Sequence, residues 1–123
     1  MNEQRLQGRC ILVVEDEYFI AEAMQAGLES EGAVVIGPAP TVRKAIDLLG
    51  SATRIDVAVL DMKLGDEPVF DVAEALQARG VPFLFTTGYD ATDVPPAWRH
   101  IERLQKPIEM ITVTRALAQY CSM

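Results

Sequence analysis

Short apolar runs that stop abruptly at a polar residue alternate in this chain with longer stretches where apolar residues recur every three or four positions. Cys10–Val14 runs into Glu15-Asp16-Glu17, and Val57–Leu60 into Asp61. Val81–Phe85 runs into Thr86-Thr87-Gly88, and Ile101–Gln105 into Lys106-Pro107. Apolar runs of this length predict buried strands, here near 10–14, 33–37, 56–60, 82–86 and 101–105. Between them, Ile20, Met24, Gly27 and Leu28 fall at helical spacing, as do Val42, Ala45, Ile46 and Leu49, and Val69, Val72, Ala73 and Leu76. Met110, Val113, Leu117 and Tyr120 repeat the pattern after the last strand. Each set forms a stripe suited to face a sheet. Gly32, Gly37-Pro38, Gly50-Ser51, Gly65 and Gly80 punctuate the elements.

Strands alternating with helices imply βαβ units, a parallel sheet and right-handed crossovers. The fourth helical unit is the weak one. Pro95-Pro96 cannot lie inside a helix but suits a first helical turn, so only a short or irregular helix is expected around Pro96–His100. No repeat, low-complexity tract or linker interrupts the chain. It reads as one domain over 1–123, with a polar arm at 1–8 and a core at 9–121.

Composition narrows the function classes. Half the residues are hydrophobic, which argues against disorder, and the net charge of -7 argues against a nucleic-acid surface. No apolar run reaches membrane-spanning length and the N-terminus lacks a signal-like stretch, so a cytoplasmic protein without membrane contact is expected. Cys10 and Cys121 are far apart in sequence and lack the spacing of a zinc site. Two buried thiols are expected.

In open α/β sheets, ligands bind beyond the carboxyl ends of the strands. Neighbouring strands would bring Asp16, Asp61, Thr87 and Lys106 together there. Carboxylates sharing a site repel, and one is driven to protonate unless a cation intervenes. Mg2+ fits, because it takes one or two carboxylates and keeps several waters. A metal, a free carboxylate, a hydroxyl and an ammonium together suit phosphoryl transfer onto an aspartate. Taken singly the residues say less. Asp16 could cap a helix beginning near Tyr18, Thr87 could simply end a strand, and Lys106-Pro107 could be an ordinary turn.

At this point the chain resembles the receiver domain of two-component response regulators, from about Arg9 to Tyr120. The likeness rests on Ile-Leu-Val-Val-Glu15-Asp16-Glu17, Val-Leu-Asp61-Met-Lys-Leu-Gly65, Phe-Thr-Thr87-Gly88 and Lys106-Pro107. It implies a flavodoxin/CheY-like, doubly wound α/β fold whose five-stranded parallel sheet has the order 2-1-3-4-5. It further implies that Asp61 is the phosphoacceptor, that Asp16 binds Mg2+ directly, and that Glu15 acts through a metal-bound water. The Lys63 backbone carbonyl would complete the coordination, with Thr87 and Lys106 holding the phosphoryl oxygens. The implied partners are a histidine kinase or histidine phosphotransfer protein and a downstream protein target; a homodimer is compatible with the family. The implied role is that of a phosphorelay phosphoprotein taking part in its own phosphorylation and autodephosphorylation, not of an enzyme with a separate substrate. Pro-Phe-Leu-Phe-Thr-Thr-Gly-Tyr89 and Leu104-Gln-Lys-Pro107 resemble the narrower "FAT GUY" subgroup, with Thr86 in the usual Ala position. Where most receivers carry a switching aromatic, this chain has Arg103, so Tyr89 and Arg103 become the candidate switch residues.

Two other classes fit less well. Haloacid-dehalogenase and toprim chemistries need a DxD pair that Asp61-Met-Lys lacks, and Glu15-Asp16-Glu17 would repel a nucleotide phosphate. A degenerate receiver acting as an adaptor would be expected to have lost the acceptor Asp or the Lys, and both are present.

Overall fold

The computed structural model describes residues 6–88 and 94–121. Strands β1 (Cys10–Val14), β2 (Val34–Ala39), β3 (Val57–Asp61), β6 (Phe83–Thr87) and β7 (Arg103–Gln105) form a sheet of order β2-β1-β3-β6-β7. All four pairings are parallel. Among the sheet strands alone this is the expected order 2-1-3-4-5. Helices α1 (Tyr18–Ser30), α2 (Val42–Ser51), α3 (Phe70–Ala78) and α4 (Met110–Cys121) connect and cover it.

The central strands are apolar throughout because both of their faces are covered. Leu12, Val14, Ala58, Leu60, Phe83 and Phe85 point to one face and pack with Val42, Ala45 and Leu49 of α2 and Val72, Ala73 and Leu76 of α3. Ile11, Val13, Val57, Val59 and Leu84 point to the other and meet Met24 and Leu28 of α1 and Val113 and Leu117 of α4. Helix α1 comes close to α4 at Gly27, where an added Cβ would sit 2.6 Å from Met110 Cε.

The fourth helical unit is a single 3-10 turn, Pro96–Trp98. Trp98 holds it in place by stacking on Phe70 at 5.7 Å and meeting Phe83 and Phe85 at 6.1 and 6.2 Å.

Several expectations need correction. Leu6, in the supposed polar arm, is buried against the α1/α4 face. Ile46 is 38% exposed, because α2 lies over the edge strand β2 and buries Val42, Ala45 and Leu49, with Leu48 partly buried beside them. A small hairpin not expected from the sequence follows β3: β4 (Lys63–Leu64) pairs antiparallel with β5 (Glu67–Pro68). The last sheet strand begins at Arg103 rather than 101. Cys121 is buried but Cys10 is only half-buried.

Candidate functional site

Strand ends bring the polar residues together. Asp61 closes β3 and lies in register with Thr86 of β6, so Thr87 extends one residue beyond it. The Lys106 amide donates to the Thr87 carbonyl at 2.7 Å, which sets the turn after β7 beside the end of β6. Glu15 follows β1 directly, and its amide donates to Ala39 at the end of β2. Carboxylate oxygens of Glu15, Asp16 and Asp61 all lie within 4.8 Å of one another. Asp16 does not cap α1: the N-cap is Glu17, without a side-chain capping bond. Its carboxylate instead accepts a 2.8 Å bond from the Gly65 amide.

Lys106 links two of the acids. Its Nζ is 3.0 Å from Glu15 Oε1 and 3.0 Å from Asp61 Oδ2. Glu15 and Asp61 are only 3% and 5% exposed, whereas Asp16 is open to solvent. Burial, together with the neighbouring Asp61 charge, raises the Glu15 carboxyl to about 7, although the Glu17 amide and Lys106 hydrogen bonds oppose the shift. Burial alone would lower the Lys106 value, but its bonds to Glu15 and Asp61 outweigh this and raise it. The ammonium therefore remains charged. Three carboxylates against one ammonium leave a formal surplus of two negative charges, which is the deficit a divalent cation meets. The all-oxygen donor set with one open face suits Mg2+.

Lys63 is exposed, and its amide donates to Asp61 Oδ1 at 3.3 Å. Thr87 is 8% exposed and its hydroxyl donates to the Gly88 carbonyl at 3.4 Å. Arg103 lies on the surface, and its Nη1 donates to the Arg99 carbonyl at 3.2 Å. Arg99 in turn donates from Nε to the Val94 carbonyl at 3.1 Å. Tyr89 lies outside the described residues. In the sequence Gly65 is a breaker and the end of the Asp61 motif, and neither feature signals its bond to Asp16.

No curated protein matches the chain significantly. Among solved structures, SdrG from Sphingomonas melonis Fr1 is 38% identical, with 98% of this chain and 99% of that chain covered and a TM-score of 0.79. A response regulator receiver protein from Sinorhizobium medicae WSM419 is 23% identical, with 95% and 97% covered and a TM-score of 0.80, and shows the fold alone. PhyR from Brucella abortus is 24% identical, with 96% of this chain but 50% of that chain covered and a TM-score of 0.77. The response regulator receiver domain family matches residues 11–118. With the acidic cluster and its lysine at the strand ends, that match over most of the length makes this chain a member of the response regulator receiver domain family.

Proposed function

We propose that this domain accepts a phosphoryl group on Asp61 from a histidine kinase or histidine phosphotransfer protein, with Mg2+, and signals through contacts with a downstream protein. The observation that carries the reading is the position of Asp61: buried, within 4.8 Å of Glu15 and Asp16, and 3.0 Å from the Lys106 ammonium. An Asp61 carboxylate oxygen attacks phosphorus in line and forms the P–O bond as the P–N bond to the donor imidazole breaks. The departing nitrogen keeps the bonding electron pair. Lys106 exchanges its contact with Asp61 Oδ2 for the phosphoryl oxygens, and the Thr87 hydroxyl turns toward them from the neighbouring strand end. Asp16, Glu15 and Asp61, with the Lys63 carbonyl, would hold Mg2+, whose charge neutralises that developing on the phosphoryl oxygens. In an extended strand the N–H and C=O of one residue face the same side. The Lys63 amide is directed at Asp61, which supports its carbonyl facing the site.

On α1 and α4, Tyr18, Phe19 and Ile111 are 68%, 76% and 62% exposed. Phe19 borders a cavity of about 260 Å3 shared with Lys106, Pro107 and Ile108. The exposed Phe19 ring sharing a cavity with Lys106 supports docking of a protein donor on this side of the site. The Phe85-Thr86-Thr87-Gly88-Tyr89 run is the ground for placing the chain in the FAT GUY subgroup, and Arg103 in the usual aromatic position is the ground for a switch role of Tyr89 and Arg103. A single receiver domain over 1–123, cytoplasmic location, and action as a phosphoacceptor rather than as an enzyme with its own substrate complete the reading.

Incubation with a small acyl phosphate and Mg2+ tests it directly. Intact mass should rise by one phosphoryl group in the wild type and stay unchanged in Asp61→Asn. Full labelling of Asp61→Asn defeats the assignment.

A further inference from the structure

Building on the Mg2+ reading above, we propose that Gly65 is a positioning residue for Asp16, and that the 63–68 hairpin thereby becomes part of the metal site. Asp16 lies on an open loop and is exposed, so its carboxylate has no packing to select a rotamer. Among the described residues, the hydrogen bond it accepts is the 2.8 Å one from Gly65 N–H to Oδ2, across 49 positions of sequence. That bond occupies one oxygen and leaves Oδ1 as a preoriented donor. Such outer-shell bonds fix the orientation of metal-ligating carboxylates.

The hairpin can serve this purpose because its own base is fixed. Leu64 is 5% exposed within the core, the Met62 amide donates to Thr86 at 3.0 Å, and the Val69 amide donates to Met62 at 3.0 Å. The Lys63 and Gly65 amides, two residues apart, both turn toward the acids: one to Asp61 Oδ1 at 3.3 Å, the other to Asp16 Oδ2. One edge of β4 thus addresses two carboxylates while the other pairs with β5. Gly65 has φ +59°, a left-handed conformation that glycine adopts freely and asparagine tolerates, and it turns the chain back toward β5 directly after the amide that meets Asp16. Beyond its two chain neighbours, no heavy atom lies within 4 Å of a Cβ built there. A side chain at this position therefore acts through the backbone alone and not through a clash.

This provides a clean pair of variants. Valine strongly disfavours the left-handed region, while asparagine accepts it. Mg2+ affinity is measured by titration calorimetry, and the Gly65 amide is followed by 15N NMR and hydrogen exchange in the metal-free protein. Gly65→Val should weaken Mg2+ binding by about tenfold or more, the range for loss of an outer-shell bond, with its circular dichroism spectrum unchanged. Gly65→Asn should stay within a few-fold of wild type. The Gly65 amide should be protected in the wild type and lose that protection in Asp16→Ala. Wild-type affinity in Gly65→Val, or a Gly65 amide indifferent to Asp16→Ala, overturns this inference alone. Failure of the wild type to bind Mg2+ overturns the metal reading, and this inference with it.

Discussion

Replacing Lys106 with methionine keeps most of the apolar stem and removes an ammonium that lies 3.0 Å from both Glu15 and Asp61. What remains is a pair of buried carboxylates with oxygens no more than 4.8 Å apart. At an effective dielectric of about 20, two full charges at that separation repel by roughly 3.5 kcal/mol. Protonation limits the loss, because burial has already raised Glu15 to about 7. The expected destabilisation near neutral pH without metal is therefore about 3 kcal/mol, the lower end for removing one partner of a buried ion pair. With about 2.1 cal/mol/K of unfolding entropy per residue over 123 residues, this lowers Tm by roughly 12 °C.

The pH dependence carries a definite sign. A carboxyl that holds its proton more tightly folded than unfolded contributes stability at low pH, and that stability is lost as pH rises from 4.5 toward about 7. Loss of Lys106 raises Glu15 further, so the deficit against wild type should widen from about pH 5 to about pH 8. Thermal denaturation followed by circular dichroism in a chelating buffer at those two values measures both effects. Addition of Mg2+ should narrow the gap by supplying the missing positive charge. An unchanged Tm at about pH 8, or a deficit of equal size at both values, refutes the reasoning.

Asp16→Ala should stay folded yet lose Mg2+ affinity by more than the roughly tenfold to hundredfold of outer-shell changes; calorimetry showing wild-type affinity contradicts its role as ligand. Trp98→Ala removes the ring stacked on Phe70 and should cost about 3–5 kcal/mol. A urea denaturation showing a loss below about 1 kcal/mol would mean that the aromatic cluster does not hold the 3-10 turn. Burial and then the hydrogen bond to Glu102 raise the Tyr120 phenol to about 12. Its contribution is thus present below 10.0 and lost as pH rises toward about 12, and Tyr120→Phe should show a flatter stability curve over that window. Identical alkaline curves for the two proteins would exclude that contact as a source of stability.

The sheet and its reactive edge were legible in the amino-acid sequence for one physical reason. A strand buried on both faces must be apolar throughout, so the first polar residue after Val14 or Leu60 marks the site, as do the residues where β6 and the polar edge strand β7 give out, Thr87 and Lys106. Residue type then supplied the chemistry of Glu15, Asp16, Asp61, Thr87 and Lys106. The single turn at Pro96–Trp98 was legible as well, since the Pro95-Pro96 pair excludes a longer helix. Other features depended on folding in three dimensions. The 63–68 hairpin has strands of two residues each, too short to show an alternating pattern. Leu6 is one apolar residue in a polar segment, and only the closing of α1 and α4 around it makes it core. The hold of Lys106 on Glu15 spans 91 positions, and that of Gly65 on Asp16 spans 49. Local composition records what each residue can do, whereas a contact between distant residues exists only once strand order and register bring them within hydrogen-bonding distance.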